Sequence, residues 1–187
     1  MTIYLASASP RRREILTSLG FAVSVHPADV DETPLPHEDP VTYAIRTARD
    51  KAATGPVDAV VLAADTVVHL DGAILHKPTD HADAASHLRH LSGRTHSVTT
   101  GVCIRSGSDI HSFAISTKVV FRALNGREID AYVATGEADD KAGAYGIQGR
   151  GGMLIASVEG SWTNVMGLPA EAVIQPLLDL GATRWAV

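Results

Sequence analysis

Apolar positions fall into short runs and stripes that alternate along nearly the whole chain. Ile3 to Ala6 is a short apolar run and reads as a strand. Ser9 then stands where an N-cap belongs and Pro10 takes the first helical position. Ile15, Leu16 and Leu19 carry that helix to a stop near Gly20. Ala22 to Val25 reads as a second strand, and Asp29 to Pro34 as an acidic loop closed by proline. Asp39-Pro40 opens a helix to about Ala53, with Val41, Ile45, Ala48 and Ala52 on its apolar stripe and Lys51 at the border. Val57 to Val68 is nearly continuous apolar sequence, the mark of a strand covered on both faces, broken by Asp58 and by Asp65-Thr66. Asp71-Gly72 is a hairpin turn into Ala73 to His76, ended by Lys77-Pro78.

A helix is predicted from His81 to Leu91, burying Ala84, Ala85, Leu88 and Leu91. Strands follow at about His96 to Ile104 and Ile110 to Phe121, joined by Ser106-Gly107-Ser108-Asp109. Gly126 to Ala134 reads as a helix, residues 137 to 152 as a glycine-rich loop and Met153 to Val158 as a strand. Ser161 to Gly167 reads as a loop, and Leu168 to Leu180 as a helix that Pro176 should kink or split. Strands and helices interleave, and the hairpins exclude a purely parallel sheet. The expected class is α/β with a mixed sheet.

Composition narrows this picture. A chain of 187 residues accommodates one sizeable core, or two lobes sharing one sheet. Its formal net charge of −5 argues against a nucleic-acid surface. The single cysteine, Cys103, allows no internal disulfide, and no apolar run approaches the ~18 residues of a membrane span. The N-terminus lacks the pattern of a signal peptide, so the expected setting is the cytoplasm, away from membranes.

Charge changes the reading of the first helix. Arg11, Arg12 and Arg13 crowd the positive end of its dipole, where each cation costs roughly 0.3–1 kcal/mol. An anion held there reverses the sign, because free backbone N–H groups, the hydroxyls of Ser7 and Ser9 and the guanidinium forks all donate to phosphate. A local basic site on an acidic body suits a small polyanion; the plainer reading is a solvated basic first turn.

Asp65, set among apolar neighbours, must find a cation, a metal or a proton. It is either a general base or metal ligand, or else a turn cap or the partner of a core arginine. Glu32 lies in an acidic loop of the kind that is usually solvated. With Asp65 it makes the two-carboxylate set that magnesium prefers alongside phosphate oxygens. Lys51 and Lys77 are ordinary lysines by themselves, Lys77 being the better candidate because Pro78 fixes it at a hairpin end. The small residues around Tyr145 and Gln148 suit close approach of a flat ligand, and the Gln148 amide could read a uracil-like edge; the alternative is a flexible loop. The nine histidines, His87 and His90 included, complete no zinc set and read as solvated surface. There is no Walker A pattern and no nucleophile elbow.

Together these segments resemble the Maf family of nucleoside triphosphate pyrophosphatases. Leu5-Ala6-Ser7-Ala8-Ser9-Pro10-Arg11-Arg12 is similar to its opening phosphate motif. Asp31-Glu32, Ala64-Asp65-Thr66-Val67-Val68, Lys77-Pro78, Leu91-Ser92-Gly93-Arg94-Thr95-His96, Thr100-Gly101-Val102, the loop from Asp140 to Gly149 and Asn164-Val165-Met166-Gly167-Leu168-Pro169 follow in family order. The resemblance spans about residues 3 to 181. It implies one domain over residues 1–187, a long mixed sheet with two lobes around a cleft, similar to inosine triphosphate pyrophosphatases.

It further implies attack of water on the α-phosphorus of a nucleoside triphosphate, with magnesium or manganese as divalent cofactor. Asp65 would be the proton acceptor and Glu32 would help hold the metal with it. Ser7, Arg11, Arg12, Lys51 and Lys77 would hold the triphosphate, with Lys77 and Glu32 counted among the catalytic groups. Arg11, Thr66 and Gln148 match positions tied to substrate choice. Ala142 to Gln148 is similar to the branch that prefers dTTP and UTP; the branch acting on 7-methyl-GTP carries a Ser-Phe-Lys type sequence there. Trp162-Thr163 replaces a more usual Tyr-Ser pair, and Ala170 and Pro176 alter the last helix. The alternatives are a 7-methyl-GTP pyrophosphatase and a nucleotide-binding regulator of cell division or septum formation; a homodimer is compatible with each.

Overall fold

The structure, a computed structural model, describes residues 1–182. β1 (Ile3–Leu5) pairs in parallel with β2 (Val23–Val25) on one side and with β3 (Val60–Leu70) on the other. Between them in the chain lie α1 (Pro10–Ser18) and α2 (Pro40–Ala53). β4 (Ala73–Leu75) returns antiparallel on β3. After α3 (His81–Leu91) come β5 (Thr95–Ser106), β6 (Asp109–Phe121), α4 (Gly126–Val133) and β7 (Ile155–Glu159), which pairs antiparallel with β6. α5 (Trp162–Met166) and α6 (Ala170–Asp179) complete the described chain. The seven-stranded sheet runs β2-β1-β3-β5-β6-β7, with β4 attached to β3. This is the mixed α/β class expected from the alternation of runs and stripes.

Local chemistry accounts for the boundaries. Asp39 accepts from the N–H groups of Val41 and Thr42 and starts α2; Asp80 accepts from Asp83 N–H and starts α3. Asn125 and Glu128 form a reciprocal capping box on α4. Asp71 and Gly72 both adopt positive φ, +52° and +82°, the backbone that a two-residue hairpin needs. Ser9 sits at the N-cap of α1 but makes no side-chain cap bond.

Several expectations shift. Residues 161–167, read as a loop, contain α5, a helix too short to show a periodic stripe. The last strand begins at Ile155, because residues 150–154 coil into a 3₁₀ turn. α6 runs unsplit through Pro176. On α2 the buried side is Tyr43, Ala44, Thr47, Ala48, Lys51 and Ala52, while Val41 is exposed.

The chain divides into two compact units. The first comprises Met1–Thr66, Thr100–Ile115 and the chain from Gly167 onward. Its core includes Ala6, Ala48, Ala52, Val61, Ala63 and Cys103. Small residues there let α2 approach the sheet: a Cβ on Gly101 would overlap the carbonyl of Ala44. Buried Arg105 donates to the carbonyls of Ala52, Gly55 and Pro56, satisfying the C-terminal end of α2. The second unit comprises Val67–Thr99 and Ser116–Met166, where Leu88, Leu91, Phe121, Tyr132 and Tyr145 share one core.

His96 belongs to that second core, which corrects the reading of every histidine as surface. It is 2% exposed, bonds the Tyr145 hydroxyl at 2.7 Å, and meets Phe121 and Tyr145 edge to face. Burial, with His69 nearby, pushes its pKa down to about 4, so the ring is neutral at pH 7. No helix among the described residues is long and apolar enough to cross a membrane.

Candidate active site

The first unit brings two groups of predicted residues together. Lys51, in the last turn of α2, is 7% exposed and points its ammonium between two carboxylates. Its Nζ lies 2.7 Å from Asp65 Oδ1 and 2.8 Å from Glu32 Oε1. Asp65, on β3, is also 7% exposed, so its charge is matched by the cation that burial demands. The open question of its partner is thereby answered: the counter-charge is a lysine, not a core arginine. Asp65 Oδ2 receives no hydrogen bond from any described residue, leaving one carboxylate oxygen able to accept a proton.

Glu32 reaches Lys51 from the exposed loop between β2 and α2, and α2 itself holds that loop. The Tyr43 hydroxyl donates to the Glu32 carbonyl at 2.9 Å. Arg46 donates to Glu38 Oε1 at 2.7 Å and to the Thr33 carbonyl at 3.1 Å. Burial, together with the charges of Asp65 and Glu32, pushes the Tyr43 phenol up to about 12, so it stays protonated and able to donate.

The second group centres on Arg12. Nε donates to the Gly167 carbonyl at 2.8 Å, Nη1 to Ser7 Oγ at 2.8 Å and Nη2 to Thr66 Oγ1 at 3.1 Å. Thr66 Oγ1 also meets Thr100 Oγ1 at 3.0 Å. Burial lowers the Arg12 pKa, with Asp65 and Glu32 pulling it up and Arg11 pushing it down. The two groups therefore share one electrostatic environment. Gly167 takes φ +118°, and a Cβ there would stand 3.5 Å from Thr66 Oγ1 and 3.7 Å from Arg12 Nε. Arg11 is partly buried on the same helix.

In the second unit, Lys77 is exposed just after β4 and makes no hydrogen bond or ion pair among the described residues. Gln148 is exposed as well, with its amide unengaged by described residues. The loop beneath it is firmly held. Gly146 N–H donates to the Tyr132 hydroxyl at 3.1 Å, Tyr145 bonds His96, and Glu137 accepts from the N–H groups of Arg150 and Gly151. Glycine enrichment here reflects close contacts: a Cβ on Gly151 would sit 2.6 Å from the Gly146 carbonyl oxygen.

Sequence reasoning missed Tyr43 and Arg46, and named Thr100 and Gly167 only as members of motifs, with no role of their own. Gly167 had a signal, a glycine between an apolar segment and Leu168-Pro169. Tyr43 and Arg46 stand eight and five residues before Lys51 on the same helix, a spacing that means nothing until the loop is seen to fold back on them.

A family profile described as Maf-like protein matches residues 2–180. A dTTP/UTP pyrophosphatase of Anaeromyxobacter dehalogenans is 52% identical over 171 residues, 89% of this chain and 88% of its own. Proteins of the same name from Pyrococcus furiosus and Salmonella typhimurium are 48% and 45% identical, covering 96% and 98% of this chain and 95% of each relative. For the fold alone, the solved Ham1 protein of Staphylococcus aureus aligns with a TM-score of 0.51 at 18% identity, over 97% of this chain and 100% of that one. With the Arg12 and Lys51 clusters built from the motifs that the profile spans, the chain belongs to the Maf-like family.

Proposed function

We propose that this protein is a pyrophosphatase that hydrolyses dTTP and UTP to the nucleoside monophosphate and pyrophosphate. The observation that carries the reading is near-half identity, over almost the full length, to relatives named dTTP/UTP pyrophosphatase. The site's chemistry agrees with it: a buried carboxylate with one open oxygen lies in the field of a buried guanidinium.

In this mechanism Asp65 Oδ2 takes a proton from water as its oxygen attacks the α-phosphorus. The bond from that phosphorus to the oxygen bridging to the β-phosphorus breaks, and pyrophosphate leaves with the bonding pair. Lys51 donates to Asp65 Oδ1 and so holds the carboxylate in orientation. Ser7, Arg11 and Lys77 are assigned to the phosphates, where hydroxyl, guanidinium and ammonium all donate. The exposed Gln148 amide, on a loop pinned from below, is assigned to the base edge. Donation to a pyrimidine carbonyl and acceptance from the ring N–H suit it to thymine and uracil.

Among the described residues no group of three or more acidic, histidine or cysteine side chains could hold a metal. The convergent carboxylates of Glu32 and Asp65 are nonetheless hard oxygen donors, and with triphosphate oxygens they suit magnesium or manganese. Such an ion supplies neutralisation of the triphosphate charge. The acidic body and the lone buried Cys103 support a cytoplasmic enzyme acting on free nucleotides, not on nucleic acid.

Pyrophosphate release should be measured on dTTP, UTP, dGTP and 7-methyl-GTP, with magnesium, with manganese and with excess chelator. Turnover of dTTP and UTP well above the purine nucleotides, lost in chelator and restored by either metal, is the expected outcome. Equal rates on all four would overturn the substrate assignment, and full activity in chelator the metal.

A further inference from the structure

Arg12 is a buried cation whose three hydrogen-bonded partners are all neutral: a carbonyl and two hydroxyls. No carboxylate lies within ion-pair distance of it among the described residues, although buried charges ordinarily find one. Its effect on Ser7 is specific. Ser7 Oγ accepts from Arg12 Nη1 at 2.8 Å and from the Ser9 N–H at 3.2 Å. A hydroxyl has two lone pairs and one hydrogen. Both acceptor positions are taken, and Ser7, only 5% exposed, donates to no described residue. What remains is one hydroxyl hydrogen with nowhere to go inside the protein.

We infer that Arg12 is a positioning residue, which fixes the Ser7 hydroxyl as an obligate donor to a phosphoryl oxygen of the substrate. This rests on the pyrophosphatase reading and deepens it. A free serine hydroxyl would rotate between donating and accepting, and accepting contributes nothing toward an anion. With both lone pairs occupied, the hydroxyl meets an anionic oxygen in the one orientation that attracts it, without reorganising. The same guanidinium holds Thr66, the neighbour of Asp65, and the Gly167 carbonyl, so donor and base share one brace. Arg12 thus acts through Ser7, whereas Arg11 and Arg12 looked equivalent as phosphate ligands in sequence.

A double-mutant cycle tests this, using dTTP kinetics and calorimetric binding of inorganic pyrophosphate. Ser7→Ala should raise KM and weaken pyrophosphate binding about 10- to 100-fold, the range for a hydrogen bond to a charged group. Arg12→Lys, which keeps charge but loses the fork, should do the same. The double variant should fall within about threefold of the worse single one, since both remove one interaction. Multiplied losses would show that Arg12 binds the anion independently and would overturn the inference. If Arg12→Lys does not fold, Ser7→Ala decides by itself. A loss under about threefold with Arg12 intact leaves no room for action through Ser7. The pyrophosphate arm needs no turnover, so a wild type that bound pyrophosphate but cleaved neither nucleotide would overturn the activity, not the positioning role.

Discussion

Lys51 and Asp65 form a buried ion pair in which one oxygen of the carboxylate is held and the other is left open. Asp65→Asn keeps the shape and an Oδ1 that still accepts from Lys51 Nζ, but removes the basic oxygen. Turnover of dTTP should fall by about 10²–10⁴-fold while nucleotide binding is largely kept. Retention of most of the activity would show that Asp65 is not the base.

The same pair predicts coupling in stability. Lys51→Met leaves Asp65 buried without a counter-charge and should cost about 3–5 kcal/mol in denaturant unfolding. Adding Asp65→Asn to it removes the stranded charge and should restore part of that loss. Additive losses in the double variant would mean the pair is only a geometric coincidence.

Gly101→Ala should destabilise the protein by roughly 1–3 kcal/mol or more, because the new methyl overlaps the backbone of Ala44 on α2. Gly126→Ala is the matched control: its Cβ meets nothing within 4 Å, at the first residue of α4. That change should be neutral or stabilise by a few tenths of a kcal/mol. Equal effects of the two on the unfolding midpoint would contradict the close packing of β5 on α2.

His96 predicts an acid limb in stability. Its ring prefers to stay neutral in the fold, with a pKa near 4 against an ordinary 6.5. Below about 6.5 the unfolded chain binds a proton that the folded chain refuses. Stability from this group is therefore complete above 6.5, falls as pH drops toward 4, and is constant below that. The total is about 3 kcal/mol. His96→Gln, which can still bond the Tyr145 hydroxyl, should flatten that limb in urea titrations. An unchanged pH slope would place the acid sensitivity elsewhere.

What was legible in the sequence had a local cause. Asp39-Pro40, Asp71-Gly72 and the Asn125–Glu128 box announce their elements because cap and turn chemistry is settled within four residues. The carboxylate of Asp65 stood out by its apolar surroundings, whereas Glu32, in an ordinary acidic loop, gained weight only beside it. What was hidden depended on distant chain. Lys51 looked less promising than Lys77 because nothing nearby reveals that α2 turns it onto Asp65, fourteen residues on. His96 sits in a mostly polar stretch, and Phe121 and Tyr145, the latter 49 residues away, make it a core residue. By charge and position in the first turn Arg11, Arg12 and Arg13 read alike, yet the helix buries Arg12 and leaves Arg13 exposed. α5 escaped because five residues make barely more than one turn.

The tethering of the 31–38 loop to α2 bears on any attempt to redesign this site. Tyr43 and Arg46 fasten the loop, and Lys51 on the same helix bridges Glu32 to Asp65. Helix and loop thus form one transplantable cassette. A loop borrowed from another protein without its helix would arrive with Glu32 unmoored, and a helix swapped without its loop would present Lys51 to a single carboxylate. Residues 31 to 53 would have to be exchanged together, with Gly101 left untouched as the bed on which they rest.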